Sequence, residues 1–139
     1  MTRFTDDYLL FLLAQASARA SAAFHAHLAE RSVKVATWRI LATLYPDAPA
    51  TIGELAASCM TKQPTMTRQV DRLERAGLVE RRASAGDRRR VLVSLSASGR
   101  ALADALTQLA RAHEAKVLAA YTGKQQEELK ALLAALPPD

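Results

Sequence analysis

Ten basic side chains crowd the stretch from Thr61 to Arg100, and four acids share it. The bases are Lys62, Arg68, Arg72, Arg75, Arg81, Arg82, Arg88, Arg89, Arg90 and Arg100; the acids are Asp71, Glu74, Glu80 and Asp87. The segment carries +6 while all 139 residues carry +5, so the rest of the chain sums to −1. Positive charge confined to one segment is the electrostatic footprint of an element that touches a polyanion. Guanidinium groups can neutralise phosphates and also reach base edges, so the chemistry indicated is nucleic-acid recognition.

Other chemistries lack their residues. There is no glycine-rich phosphate loop and no nucleophile signature pairing Ser or Cys with His, so no enzyme is expected. His25 and His27 stand two apart, which on a helix turns them about 200° from each other. With no H-x-x-x-H pair and no Cys/His cluster, neither a metal site nor a cofactor is expected. The single cysteine, Cys59, excludes an internal disulfide and fits a reducing cytoplasm. No apolar run approaches the eighteen or so residues of a membrane span. Asp6 and Asp7, just ahead of the first apolar patch, argue against a signal peptide.

The elements that must position the basic stretch are mostly helical. Half the residues are hydrophobic but only 5% are aromatic, and Ala and Leu dominate. Thr5 is expected to open a first helix with Asp6 and Asp7 in its first turn, running to about Glu30. Its stripe is Leu9, Leu10, Leu13, Ala16, Ala20, Ala23, Phe24 and Leu28. That stripe is too long for a chain of this size to bury alone, which implies a partner subunit. A second helix spans Val35 to Tyr45, with Trp38, Leu41, Leu44 and Tyr45 on one face, and Pro46 to Pro49 end it. Thr51 and Glu54 form a capping box for a short third helix.

Pro64 suits the first turn of a fourth helix, with Met66, Val70 and Leu73 inward, Thr65, Arg68, Gln69 and Arg72 outward, and Gly77 as the stop. Leu78–Arg82 and Val91–Leu95 alternate apolar and polar residues as hairpin strands should, around the loop Ala83–Arg90. Ser96 caps a fifth helix with the stripe Leu102, Leu106, Leu109, His113 and Val117, where His113 is a packing or interface residue. Thr122 and Gln125 cap a last helix carrying Leu129, Leu132, Leu133 and Leu136, closed by Pro137-Pro138. The fold class is therefore mainly α, about six helices, with a small β-hairpin wing on a helix-turn-helix.

In the order of these elements, and in QPTMTRQVDRLERAGLVERR, Asp87-Arg88-Arg89 and VLVSLSASGRAL, the chain resembles the MarR family of bacterial transcriptional regulators. The resemblance implies one domain over 1–139, with residues 33–96 as the winged helix-turn-helix and 1–32 with 97–139 as a helical dimerisation part. It further implies a cytoplasmic homodimer that binds double-stranded DNA at a palindromic operator, acts as a repressor, and is released by a small phenolic-type effector.

On the fourth helix, Arg68 is expected at a guanine and Pro64 and Thr65 at base edges, with Gln69 a second-rank candidate. Gln63, Thr67 and Arg72 are expected at phosphates. The resemblance places Arg89 in the minor groove with Asp87 fixing its direction; a narrow groove concentrates negative potential that attracts a guanidinium. Arg88 and Arg90 are expected at flanking phosphates. Arg75, Arg81 and Arg82 read equally well as surface charge. Trp38 reads as core or as a wall of the effector pocket. Cys59 reads as a buried small hydrophobe, and Ser17 stands about where oxidation-sensing relatives hold their thiol. Two other readings remain open: a thiol-redox regulator acting through Cys59, and a non-specific architectural DNA-binding protein.

Overall fold

The computed structural model describes residues 1–138. Six helices and one hairpin follow in order: α1 (Leu9–Glu30), α2 (Val35–Leu44), α3 (Ile52–Ser58), α4 (Gln63–Arg75), β1 (Val79–Ala83), β2 (Val91–Leu95), α5 (Ala97–Val117) and α6 (Gly123–Ala134). The hairpin is antiparallel, with Val79 opposite Leu95 and Arg81 opposite Val93. Ala50 adds a third, single-residue strand. Its N–H donates to Val93 O at 3.0 Å, and Val93 N–H returns the bond at 2.7 Å. Nothing in the local pattern around Pro49 announces that bridge.

Local signals set most boundaries. Ser96 Oγ accepts from Gly99 N at 3.0 Å, and the Thr122–Gln125 capping box is closed in both directions. Helix α4 ends in a Schellman turn. Gly77 adopts φ +76°, its N–H donates to Glu74 O, and Leu78 N–H donates back to Leu73 O. Leu78 is thereby committed to the turn, so β1 starts at Val79, one residue later than the alternation indicates. Helix α2 stops at Leu44 rather than Tyr45.

The N-terminus departs from expectation. Residues Phe4–Asp6 form a separate 3₁₀ turn in which Arg3 N–H donates to Asp6 Oδ2 at 2.9 Å. Helix α1 begins only at Leu9, so Asp6 and Asp7 lie ahead of its first turn. Of its apolar stripe only Phe24 and Leu28 are buried; Leu9 and Leu10 stay 50% and 56% exposed.

Two cores explain which helices hold together. One joins Ile40 and Leu44 of α2 to Leu55, Met66, Val70 and Val93, fastening α3, α4 and the hairpin into a single unit. The other joins Phe24 and Leu28 of α1 to Leu41, Ala103 and Leu106. Helix α2 feeds both, with Ile40 and Leu41 fully buried in different clusters. Full burial of each such side chain contributes about 1.5–3 kcal/mol. His113 crosses from α5 to α1, its Nε2 lying 2.6 Å from Ala20 O and its ring against Phe24.

Outside both cores an apolar surface remains. Phe4, Tyr8, Leu9, Leu10, Phe11 and Leu12 at one end, and Tyr121, Leu129, Leu132, Leu133 and Leu136 at the other, are exposed. Leu13 and Ala16 of α1 and Leu129 and Leu133 of α6 line a common groove.

Candidate nucleic-acid interface

Helices α3 and α4 meet through a tight turn at Met60 and Thr61. Met60 takes φ +55°, Thr61 N–H donates to Ala56 O, and the turn delivers Lys62 to the start of α4. Met66, Val70 and Leu73 are buried as their spacing requires, which leaves the other side of α4 to solvent. Pro64, Arg68 and Arg72 are exposed there, whereas Thr65 and Gln69 are half-buried at the edges. Gln69 and Arg72 line a cleft with Lys34 and Thr37 at the start of α2. Gln63 and Thr67 are exposed, but the Thr67 hydroxyl donates to Gln63 O at 3.0 Å, so in that rotamer the hydroxyl can only accept a further bond.

The wing loop is organised by Asp87. Its Oδ1 accepts the backbone N–H of Arg89 at 2.9 Å, and Arg90 N–H donates to Asp87 O. Asp87 therefore shapes the turn through the main chain instead of gripping the Arg89 guanidinium. Arg88 and Arg89 are exposed and form no ion pair among the described residues. Arg90 differs: its guanidinium donates to Glu54 of α3 at 2.8 Å. The same Glu54 oxygen accepts from the Thr51 hydroxyl at 3.2 Å, so the expected capping box is closed only by Glu54 N–H donating to Thr51 Oγ1 at 3.1 Å. The Arg90 hydrogen bond, with help from Thr51, holds the Glu54 carboxyl below the usual carboxylate range.

Arg81, whose sequence context fits surface charge equally well, is committed to two acids of α4. One of its nitrogens donates to Asp71 at 2.7 Å and another to Glu74 at 2.9 Å. The Asp71 bond, opposed by partial burial and reinforced by Glu74, raises the guanidinium further above its ordinary pKa. Arg82 and Arg100 pair with Glu80 and Asp104. Of the ten basic residues in the segment, Lys62, Arg68, Arg72, Arg75, Arg88 and Arg89 are thus left without a carboxylate partner among the described residues. Alternation did hold the signal for Arg81, because it shares the inward face of β1 with buried Val79.

Residues 34–91, which hold both the helix-turn-helix and the wing loop, match the sequence pattern of the MarR family. A crystal structure of a MarR family transcriptional regulator from Silicibacter pomeroyi is 41% identical and superposes with a TM-score of 0.85, over 98% of this chain and 100% of that one. The chain belongs to the MarR family. An Escherichia coli relative, the homoprotocatechuate degradative operon repressor, is 30% identical over 91% of this chain and 86% of its own. An HTH-type transcriptional repressor of Mycobacterium tuberculosis is 39% identical, and the chain spans 63% of that relative's length.

Away from the wing, Trp38 lies half-buried in a cleft of about 510 Å³ between α2 and α5, lined also by Tyr45, Thr107, Arg111 and Glu114. Its ring packs edge-on against Phe24 at 5.1 Å, so the half-buried Trp38 borders both the α1–α2–α5 core and this cleft. Tyr45 OH donates to Asp104 at 2.7 Å, and Arg100 sits 5.5 Å over the Tyr45 ring. Burial tends to raise the pKa of Glu114, but hydrogen bonds from Arg111 and Lys130 outweigh it and lower the net value. Cys59 is buried beside Thr43, and desolvation pushes its thiol above the ordinary range. No group of acids, histidines and cysteine that could hold a metal occurs among the described residues, and no helix there is long and apolar enough to cross a membrane.

Proposed function

We propose that this protein is a sequence-specific DNA-binding transcriptional repressor, working in the cytoplasm as a homodimer on a palindromic operator. One observation carries the reading: within a segment of net charge +6, Arg68 and Arg72 on α4 and Arg88 and Arg89 on the wing are exposed and have no carboxylate partner among the described residues. Groups left in this state are available to phosphates and base edges. Arg68, with Pro64 and Thr65, reads bases in the major groove. Gln63, Thr67, Gln69 and Arg72 flank it, with Arg88 at phosphates and Arg89 in a narrow minor groove. Residues 33–96 form the reader. Residues 1–32 and 97–139 form the dimer, in which the exposed apolar surface of α1 and α6 is covered by a second copy.

The effector is a small phenolic compound bound in the Trp38 cleft. Tyr45 and Trp38 offer aromatic walls there, and Arg111 and Glu114, paired with each other at 2.9 Å, form its polar edge. The E. coli relative's name, tied to homoprotocatechuate degradation, supports that class.

The test is a titration against DNA upstream of the protein's own gene, beside a scrambled duplex, at two salt concentrations. Affinity should fall steeply with salt on both duplexes, because neutralised phosphates release counterions. Binding at least a hundredfold tighter to the upstream DNA, with two protomers per site, is the expected result. Equal binding to both would reduce the protein to a non-specific architectural one.

A further inference from the structure

Two acids stand three residues apart on the helix proposed to enter the major groove. Asp71 and Glu74, left to themselves, would set negative charge beside phosphates. One guanidinium takes both: Arg81 donates to Asp71 at 2.7 Å and to Glu74 at 2.9 Å. Arg81 sits at the centre of β1, opposite Val93, and Val93 is itself bonded to Ala50 ahead of α3. Its side chain is only 25% exposed, against 76% for the neighbouring Arg82. The planar fork of arginine can hold two carboxylates at once, which a lysine ammonium cannot match in geometry.

We propose that Arg81 is a positioning residue for DNA recognition: by clamping Asp71 and Glu74 it fixes the wing against α4. This rests on the DNA-binding reading given above, but the clamp itself is testable without DNA. Arg81 touches no base. It acts through Arg89, whose approach to the groove depends on where the hairpin is held relative to α4.

The experiment compares wild type, Arg81→Gln, Arg81→Lys, Asp71→Asn and Arg89→Ala, with the double variant Arg81→Gln/Arg89→Ala. The first readout is amide hydrogen exchange in the free protein. Exchange across β1 and the loop 84–90 should accelerate at least tenfold in Arg81→Gln and Asp71→Asn, less in Arg81→Lys, with α1 and α5 unchanged. The second is affinity for the upstream DNA. Arg81→Gln should lose at least tenfold in the wild-type background and under twofold when Arg89 is already alanine, which is the pattern of coupled residues. Unaltered exchange would overturn the clamp even if no DNA partner had been found. Faster exchange together with an equal loss of affinity in both backgrounds would overturn the route through Arg89. A wild type that binds no DNA, yet shows faster wing exchange in Arg81→Gln, would retain the clamp and discard the DNA-binding reading.

Discussion

Arg90 of the wing loop donates to Glu54 of α3 over 2.8 Å, joining residues that lie 36 positions apart in the sequence. Both side chains are about half exposed, so the contact matters more for where the loop rests than for global stability. Its pH dependence has a definite sign. Glu54 is held below its ordinary value of 4.5 in the folded chain, so the tie is fully present above that value. It is lost as pH falls through the lower folded value. The Glu54 carboxyl resonance should titrate with a midpoint below 4.5, and Arg90→Ala should move that midpoint up. A midpoint at or above the ordinary value would show that the pair does not persist in solution.

Arg89 and Arg68 should fail differently. Arg89→Ala is expected to weaken operator binding at least tenfold with the melting temperature unchanged, and to lower the salt slope by about one. Arg68→Ala should relax preference at a single base pair by ~1–3 kcal/mol. If Arg68→Ala lowered affinity equally on all sequences, Arg68 would be a phosphate contact and the guanine assignment would fall.

Gly99 lies in the first turn of α5, where a Cβ would come 1.9 Å from the Leu78 carbonyl oxygen. Replacement of glycine by alanine in a helix ordinarily gains up to about 1 kcal/mol. Here the clash with main chain that already accepts from Ser96 N should win. Gly99→Ala is expected to cost ~1–3 kcal/mol in chemical denaturation. Gly123→Ala, with open space around its Cβ, should be neutral or stabilising. Equal effects at the two glycines would contradict this packing.

The apolar surface of α1 and α6 predicts self-association. Leu132 is 70% exposed and Leu133 46% exposed in the single chain. Leu132→Glu with Leu133→Glu should shift sedimentation from dimer to monomer and leave helical circular dichroism largely intact. A double variant that still sediments as a dimer would move the interface elsewhere.

Cys59 should be a poor redox sensor. The nucleophile is the thiolate, and burial raises the thiol's pKa, so little thiolate forms near neutrality. Peroxide treatment should change DNA affinity less than twofold in both wild type and Cys59→Ser. Release of DNA from oxidised wild type alone would revive the thiol-switch reading.

Short-range information made much of this molecule legible. The buried face of α4 (Met66, Val70 and Leu73) follows from steps of four and three residues. The caps at Thr51, Ser96 and Thr122 and the stop at Gly77 follow from side chains that reach backbone groups a few residues away. The hairpin follows from alternation, and the concentration of charge from simple counting.

What periodicity could not decide was what each face meets. The stripe of α1 reads the same from Leu9 to Leu28, yet only Phe24 and Leu28 are buried against α2 and α5. Arg81, Arg82 and Arg90 share one side-chain type, and alternation turns Arg81 inward without naming its partners. Packing gave Arg81 two carboxylates on α4, left Arg82 on the surface, and placed Arg90 against α3. Caps and stripes depend on backbone geometry within a turn or two, which local residue types dictate. The partners of Arg81, Arg90 and Ala50 depend on angles between distant elements, and those exist only once both cores have closed.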